Sequence, residues 1–269
     1  LTDAEQLAYL LKYDTNHRNY NVDGISFVDN NIVVDGKKIP VYSSMDPSVL
    51  PWGELGVDVV FECSGKFTDK DKASLHIKAG AKKVIISAPA KGDLKTIVYN
   101  VNDDILTGEE EVISAASCTT NCLAPVLKII EDNIGIESGF MSTIHAYTND
   151  QNTLDGSHKK GIKSRRGRTA ASNIIPTSTG AAKSIGVVIP TLSGKMDGVA
   201  YRVPVIDGSM VDVTLTLNRA TSVDEINDLF RNNMNEVLDF TVDPIVSSDV
   251  IGSTCGALVD GLSTKVLDV

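Results

Sequence analysis

The sequence predicts an α/β protein in two parts: a parallel α/β sheet over roughly the first 117 residues, then an α+β half on an antiparallel or mixed sheet. Three observations carry this. Between residues 57 and 114, short continuous Val/Ile runs are separated by a helical stretch, the pattern of parallel strands. From about residue 118 the strands alternate apolar and polar side chains instead, as half-buried strands do. The stretch 149–172 is polar, punctuated by glycines and too long for an ordinary connection, which marks a functional or mobile loop.

Residues 3–13 read as a short helix with Leu7, Leu10 and Leu11 on one face. Residues 25–42 read as a small antiparallel insert, in which ISFV and NIVV flank Asp29-Asn30-Asn31 and Asp35-Gly36 makes the next tight turn. Residues 57–63 form a short buried strand that ends at Ser64-Gly65, and a helix at about 69–79 stops at Gly80. Lys83–Ser87 and Glu111–Ser114 are the next two strands. A helix is expected over about 118–133, a strand over Gly139–Ala146 and a helix over about 179–188. Gly198–Val203 and Met210–Asn218 follow as long strands. Ser222 caps a last helix to about 235, with Asp224 and Glu225 in its first turn. The domain boundary falls near 117.

Composition narrows the function classes. Apolar residues are 42 % of the 269, enough for a packed core and too many for a disordered chain. Twenty-five basic against 35 acidic residues give 25 − 35 = −10, which argues against general nucleic-acid binding. Residues 159–168 are the local exception, and on their own they read as a solvated loop. No run approaches 18 uncharged apolar residues, so no membrane span is expected, and the first residues do not resemble a targeting sequence. Four cysteines are too sparse for a disulfide scaffold, so a reducing, cytoplasmic setting is expected. Leu1 rather than Met opens the sequence, as expected of a chain that starts inside a longer protein.

Ser114 to Pro125 is the most informative segment, because a strand ends and a helix begins with Cys118 at the junction. A thiol there meets the positive end of the helix dipole and unpaired N–H donors, both of which favour the reactive thiolate. Ser117 and Thr119 put hydroxyls beside the same donors, suited to an anion. Cys122, one turn later, reads as structural. Free cysteines are among the most buried residues, so small core side chains are the competing account of both. No Cys/His cluster at ligand spacing accompanies the pair, and no metal is expected. Of His17, His76, His145 and His158, only His145 ends an apolar strand and opens onto a polar turn, where a general base would sit; a structural histidine is the equal alternative.

Ser-Cys-Thr-Thr-Asn-Cys-Leu-Ala-Pro (117–125) resembles the active-site motif of the phosphorylating glyceraldehyde-3-phosphate dehydrogenase family. His145-Ala-Tyr-Thr-Asn-Asp-Gln151, Arg165-Arg-Gly-Arg168, Ile175 to Lys183, Arg202-Val-Pro204, Phe61 to Thr68 and Ile86 to Pro89 resemble its further motifs in order and spacing. The resemblance implies a Rossmann-type NAD domain over 1–117 and a catalytic domain over 118–269. It implies NAD-dependent oxidative phosphorylation of glyceraldehyde 3-phosphate in glycolysis, with Cys118 as nucleophile and His145 as base. Thr148 and Arg202 would serve the substrate phosphate. Ser117, Thr119, Thr179 and Gly180 would serve the attacking phosphate, with Arg166 or Arg168 near by. Cofactor contacts would be Met45, Ser64, Gly65, Phe67 and Ser87, with Asn149 near the nicotinamide. The 159–168 stretch resembles the family's loop at the subunit interface, which implies a homotetramer.

The sequence departs from the family at its ends. No two glycines are separated by a single residue, so the glycine-rich turn of the family's NAD domain does not occur. Leu1 corresponds to a point past the acidic ribose contact, and Val269 to one before the asparagine that orients the nicotinamide. These residues alone are therefore expected to bind NAD weakly and to lack turnover. The alternatives are erythrose-4-phosphate dehydrogenase, which departs in the Thr179–Lys183 stretch that is intact here, and a non-catalytic binding protein, which would show a damaged Cys118 or His145.

Overall fold

The computed structural model describes residues 2–267; Leu1 and Val269, the outer limits of the two expected domains, lie outside the described residues. The Asp3 carboxylate accepts from the Gln6 N–H at 2.8 Å and caps helix α1 (Ala4–Lys12). The buried face of α1 is Ala4 and Ala8, whose small side chains let the helix pack on the strand that follows; of the expected leucine face Leu7 is half-buried, while Leu10 and Leu11 are turned out, 60 % and 43 % exposed. That strand, β1 (Ile25–Val28), forms an antiparallel meander with β2 (Asn31–Val34) and β3 (Lys37–Pro40). Asp35 and Gly36 both take positive φ in the second two-residue turn, as its geometry demands.

The parallel sheet is present, in the order β4 (Val59–Glu62), β5 (Lys83–Ile86), β6 (Val112–Ser114). β4 is not the buried strand expected. It lies at the sheet edge, and Phe61 is 67 % exposed. The helix expected over 69–79 is two short ones, α2 (Lys70–Ala73) and α3 (Leu75–Lys78). The run is interrupted at Ser74, where ψ opens to −9, although its N–H and its hydroxyl both donate to the Lys70 carbonyl, at 2.9 and 2.8 Å. Gly80 ends it at φ +103, where a Cβ would come within 2.5 Å of the Gly53 backbone.

The second half opens with α4 (Cys118–Asn133), followed by β7 (Ile136–Ala146), β8 (Ile175–Thr177), α5 (Ala181–Val188), β9 (Met196–Val203), β10 (Met210–Leu217), α6 (Val223–Asn232), β11 (Leu238–Thr241) and β12 (Ala257–Asp260). The expected mixed sheet has the order β10-β7-β9-β8, with β7 and β9 parallel and the outer pairs antiparallel. One face is covered by α4 and α5 through Leu123, Leu127, Ile185, Met141 and Met196; the opposite face exposes Phe140. Because side chains alternate, Met141, Thr143 and His145 share the covered face. β8, β11 and β12 carried no periodic signal, being three or four residues long. α6 stops at Asn232 rather than 235, since Asn235 Oδ1 accepts from the Val237 and Leu238 N–H groups and shapes a turn instead.

Two substitutions test this packing. Leu127→Ala, at a fully buried position, is expected to lower unfolding free energy by about 3 kcal/mol. Leu10→Ala should change it by less than about 0.5 kcal/mol. Urea denaturation of the two variants reads both, and equal losses would contradict the orientation of α1.

Candidate active site

Two residues beyond β6 the backbone turns sharply: Ala116 takes φ +60 without being glycine. Ser117 then caps α4, its Oγ accepting from the Thr120 N–H at 3.1 Å. The Asn121 amide reaches back and donates to the carbonyls of Ala115 and Ser117, at 2.8 and 2.9 Å. This clamped turn presents Cys118 as the first residue of α4, accessible to solvent.

His145 reaches Cys118 from the end of β7, with Sγ 3.5 Å from Nε2. Its Nδ1 lies 2.7 Å from the Ala146 carbonyl and 3.0 Å from Arg202 Nη1, which fixes the ring with Nε2 turned to the thiol. The hydrogen bond to His145 is the chief cause of a Cys118 pKa lowered to about 7. Partial burial opposes it, while the charge of His145 and hydrogen bonds from Thr119 assist. Cys122 is pushed up to about 11, first by burial and then by the neighbouring Cys118 and Cys255. One turn of helix thus separates an activated thiol from an inert one.

The parallel register sets Arg202 of β9 directly beside His145. Arg202 Nη1 donates to the Ala146 carbonyl at 2.8 Å and to Thr148 Oγ1 at 2.9 Å. Thr148 Oγ1 donates onward to Asp150 at 2.6 Å, and Asp150 pairs with Arg166, whose Nε donates to Thr177 Oγ1 at 3.2 Å. Two guanidiniums therefore share one carboxylate and leave a net positive charge beside the thiol, a setting for an anion. Burial lowers the Arg202 pKa, the charge of Arg166 adds to this, and Asp150 and Cys118 offset part. Burial works against the Asp150 carboxylate, but hydrogen bonds from Thr148 and Arg166 outweigh it and lower its pKa. Among the described residues, Arg202 Nε is buried without a partner.

The remaining residues divide. Arg166 joins the cluster, whereas Arg168 turns away and pairs with Asp155 at 3.0 Å on the exposed surface. Thr179 Oγ1 accepts from the Ala181 N–H at 3.1 Å, and Gly180 stands at the N-cap of α5 with open space at its Cβ position. Thr119 is buried in the first turn of α4. Among the described residues, no hydrogen bond joins Thr179 or Gly180 to the Cys118–Arg202 cluster. The sequence named Asp150, Thr177 and Asn121 only inside longer motifs. Their roles depend on partners that a local pattern does not disclose, such as Arg166, 16 positions from Asp150.

Ser64-Gly65 follows the carboxyl end of β4 and Ser87 that of β5, the edge at which open α/β sheets take ligands. Gly65 takes φ +68 with nothing within 4 Å of its Cβ position, so the backbone there is open to close approach. Phe67 is half-buried beside this turn. This opening at the carboxyl edge of the sheet fits the close approach of a dinucleotide. Met45 and Asn149 are exposed.

A family model described as the glyceraldehyde 3-phosphate dehydrogenase C-terminal domain matches residues 117–269. The model described as the NAD binding domain of glyceraldehyde 3-phosphate dehydrogenase matches residues 1–70. Among curated relatives, the glyceraldehyde-3-phosphate dehydrogenases of Clostridium pasteurianum and Clostridium acetobutylicum are 56 % and 55 % identical over 269 residues, covering all of this chain and 80 % of theirs. That of Thermotoga maritima is 49 % identical over 271 aligned positions, covering 99 % of this chain and 80 % of its own. Matched in both halves and along its length, the chain belongs to the glyceraldehyde-3-phosphate dehydrogenase family.

Proposed function

We propose that the enzyme oxidises glyceraldehyde 3-phosphate to 1,3-bisphosphoglycerate with NAD and inorganic phosphate, a glycolytic reaction, through a covalent intermediate on Cys118. The observation that carries this reading is the Cys118–His145 pair, 3.5 Å apart at the start of α4, with the thiol pKa lowered to about 7.

As Cys118 Sγ bonds to the aldehyde carbon, His145 Nε2 takes the thiol proton and returns it to the former carbonyl oxygen, giving a hemithioacetal. His145 Nε2 then accepts that hydroxyl proton as the C–H bond breaks and a thioester forms. The bound nicotinamide supplies the hydride acceptor. An oxygen of inorganic phosphate next bonds to the thioester carbon, and Sγ leaves as thiolate, a departure that its lowered pKa favours. Arg202 and Thr148 hold the substrate phosphate. Ser117, Thr119, Thr179 and Gly180, with Arg166, serve the attacking phosphate. Ser64, Gly65, Phe67 and Ser87 hold the cofactor, with Met45 toward the adenine and Asn149 toward the nicotinamide.

A division into an NAD-binding domain to residue 117 and a catalytic domain from 118, a homotetramer and a cytoplasmic setting belong to the same reading. The uncovered sheet face with Phe140 and the 95 % exposed Ile162 of the 149–172 loop support self-association. Among the described residues, no helix is long and apolar enough to cross a membrane.

Cys118 alkylation by iodoacetamide should rise with pH to a midpoint near 7. In His145→Gln the midpoint should move up toward the ordinary thiol range, slowing the reaction at pH 7 at least about tenfold. An unmoved midpoint would count against the pair. Glyceraldehyde 3-phosphate should protect Cys118 better than erythrose 4-phosphate, and unphosphorylated glyceraldehyde should protect least. Arg202→Leu should raise the protecting concentration at least about tenfold, for a lost charge-assisted contact. Equal protection with and without the phosphate would overturn the assignment of Arg202.

A further inference from the structure

Behind the Ser64-Gly65 turn runs a buried polar chain that the chemistry above does not use. Glu62, the last residue of β4, and His76, in α3, are each 6 % exposed. Trp52 Nε1–H donates to His76 Nδ1 at 3.0 Å. An indole N–H can only donate, so Nδ1 accepts and the ring proton sits on Nε2. That Nε2–H donates to Glu62 Oε2 at 3.1 Å. The other carboxylate oxygen, Oε1, accepts from the Ser64 N–H at 2.7 Å and from the Ser64 hydroxyl. The same imidazole stacks on Trp52, with centroids 6.2 Å apart, and meets the edge of Phe67 at 6.3 Å.

Burying a carboxylate and an imidazole is costly, and docking α3 on β4 would be served as well by an apolar pair. This chain instead ends on two residues of one turn: it grips Ser64 through hydrogen bonds and Phe67 through ring contact. Both Ser64 donors point inward to Glu62, and the Ser64 hydroxyl accepts from the Lys66 N–H at 3.1 Å. The Gly65 and Phe67 N–H groups make no hydrogen bond among the described residues and are open to a ligand. We propose that Glu62 and His76 are positioning residues for the cofactor, holding the Ser64–Phe67 turn in the conformation that receives the dinucleotide. The inference rests on the reading of Ser64, Gly65 and Phe67 as cofactor contacts.

The test compares Glu62→Gln, His76→Leu and His76→Gln in the full chain. Glu62→Gln turns an amide N–H₂ toward either His76 Nε2–H or the Ser64 donors, so one contact becomes donor against donor. His76→Leu removes the bond to Glu62, whereas His76→Gln keeps a donor to it. Amide exchange is followed without cofactor, and NAD affinity is measured by calorimetry. In Glu62→Gln and His76→Leu the Ser64 amide should exchange at least about tenfold faster, while the Val84 amide, bonded to the Glu111 carbonyl in the sheet, stays protected. The NAD dissociation constant should rise about tenfold in both, and stay within about threefold of the parent in His76→Gln. An unchanged Ser64 amide, a Val84 amide that opens with it, or a loosened Ser64 with unchanged NAD affinity would each overturn the proposal. If saturating NAD leaves the Ser64–Phe67 amides of the parent chain unaltered, the cofactor assignment of the turn falls, and the inference with it.

Discussion

The alignment of β7 against β9 is the constraint on which the active site depends. It is a parallel register, so neighbouring residues share a face, and it places His145 and Arg202 side by side at the same end of both strands. That face is the one covered by α4, and so His145 can meet a thiol that stands on the first turn of that helix. A slip of one residue would turn His145 to the open face and leave Cys118 with no base. The core enforces the register. Met141 and Met196 belong to the packed cluster under α4 and α5, and a Cβ at Gly198 would strike Met141 at about 2.5 Å.

From that register the electrostatics follow. The Ala146 carbonyl lies 2.7 Å from His145 Nδ1 and accepts from Arg202 Nη1 at 2.8 Å, so one backbone oxygen anchors both the base and the cation. Asp150 does related work between Arg202 and Arg166. It orders both through Thr148 and a direct pair, yet neutralises only one of the two charges. The site can thus be positive enough to hold phosphate while its arginines stay fixed in the absence of an anion.

Legibility varied with the range of the cause. The helix over 118–133 appeared where expected because its cap, its apolar spacing and its end lie within one segment. Cys118 was readable for the same reason: its activation begins at a strand–helix junction visible in the chain. The inner face of α1 was misjudged, since Ala4 and Ala8 are chosen by close approach to β1 and not by hydrophobicity. The break at Ser74 turns on one backbone angle within an unbroken helical pattern. Arg166 and Arg168 are equivalent in sequence, and only the positions of Asp150 and Asp155 send one into the site and the other to the surface.

What the order of residues settled alone was local chemistry: a capped helix with a thiol at its head, a histidine at a strand end, and motifs specific enough to indicate the family. These are properties of short segments, where backbone propensity and the helix dipole act over a few ångströms. The three-dimensional arrangement settled what those groups do together. The thiol pKa of about 7 comes first from His145, 27 positions away, and the polar line from Trp52 through the buried His76 and Glu62 to Ser64 crosses three separate segments. Hydrogen bonds and charge pairs act through space, so their partners become definite only when the sheets and helices have closed around them.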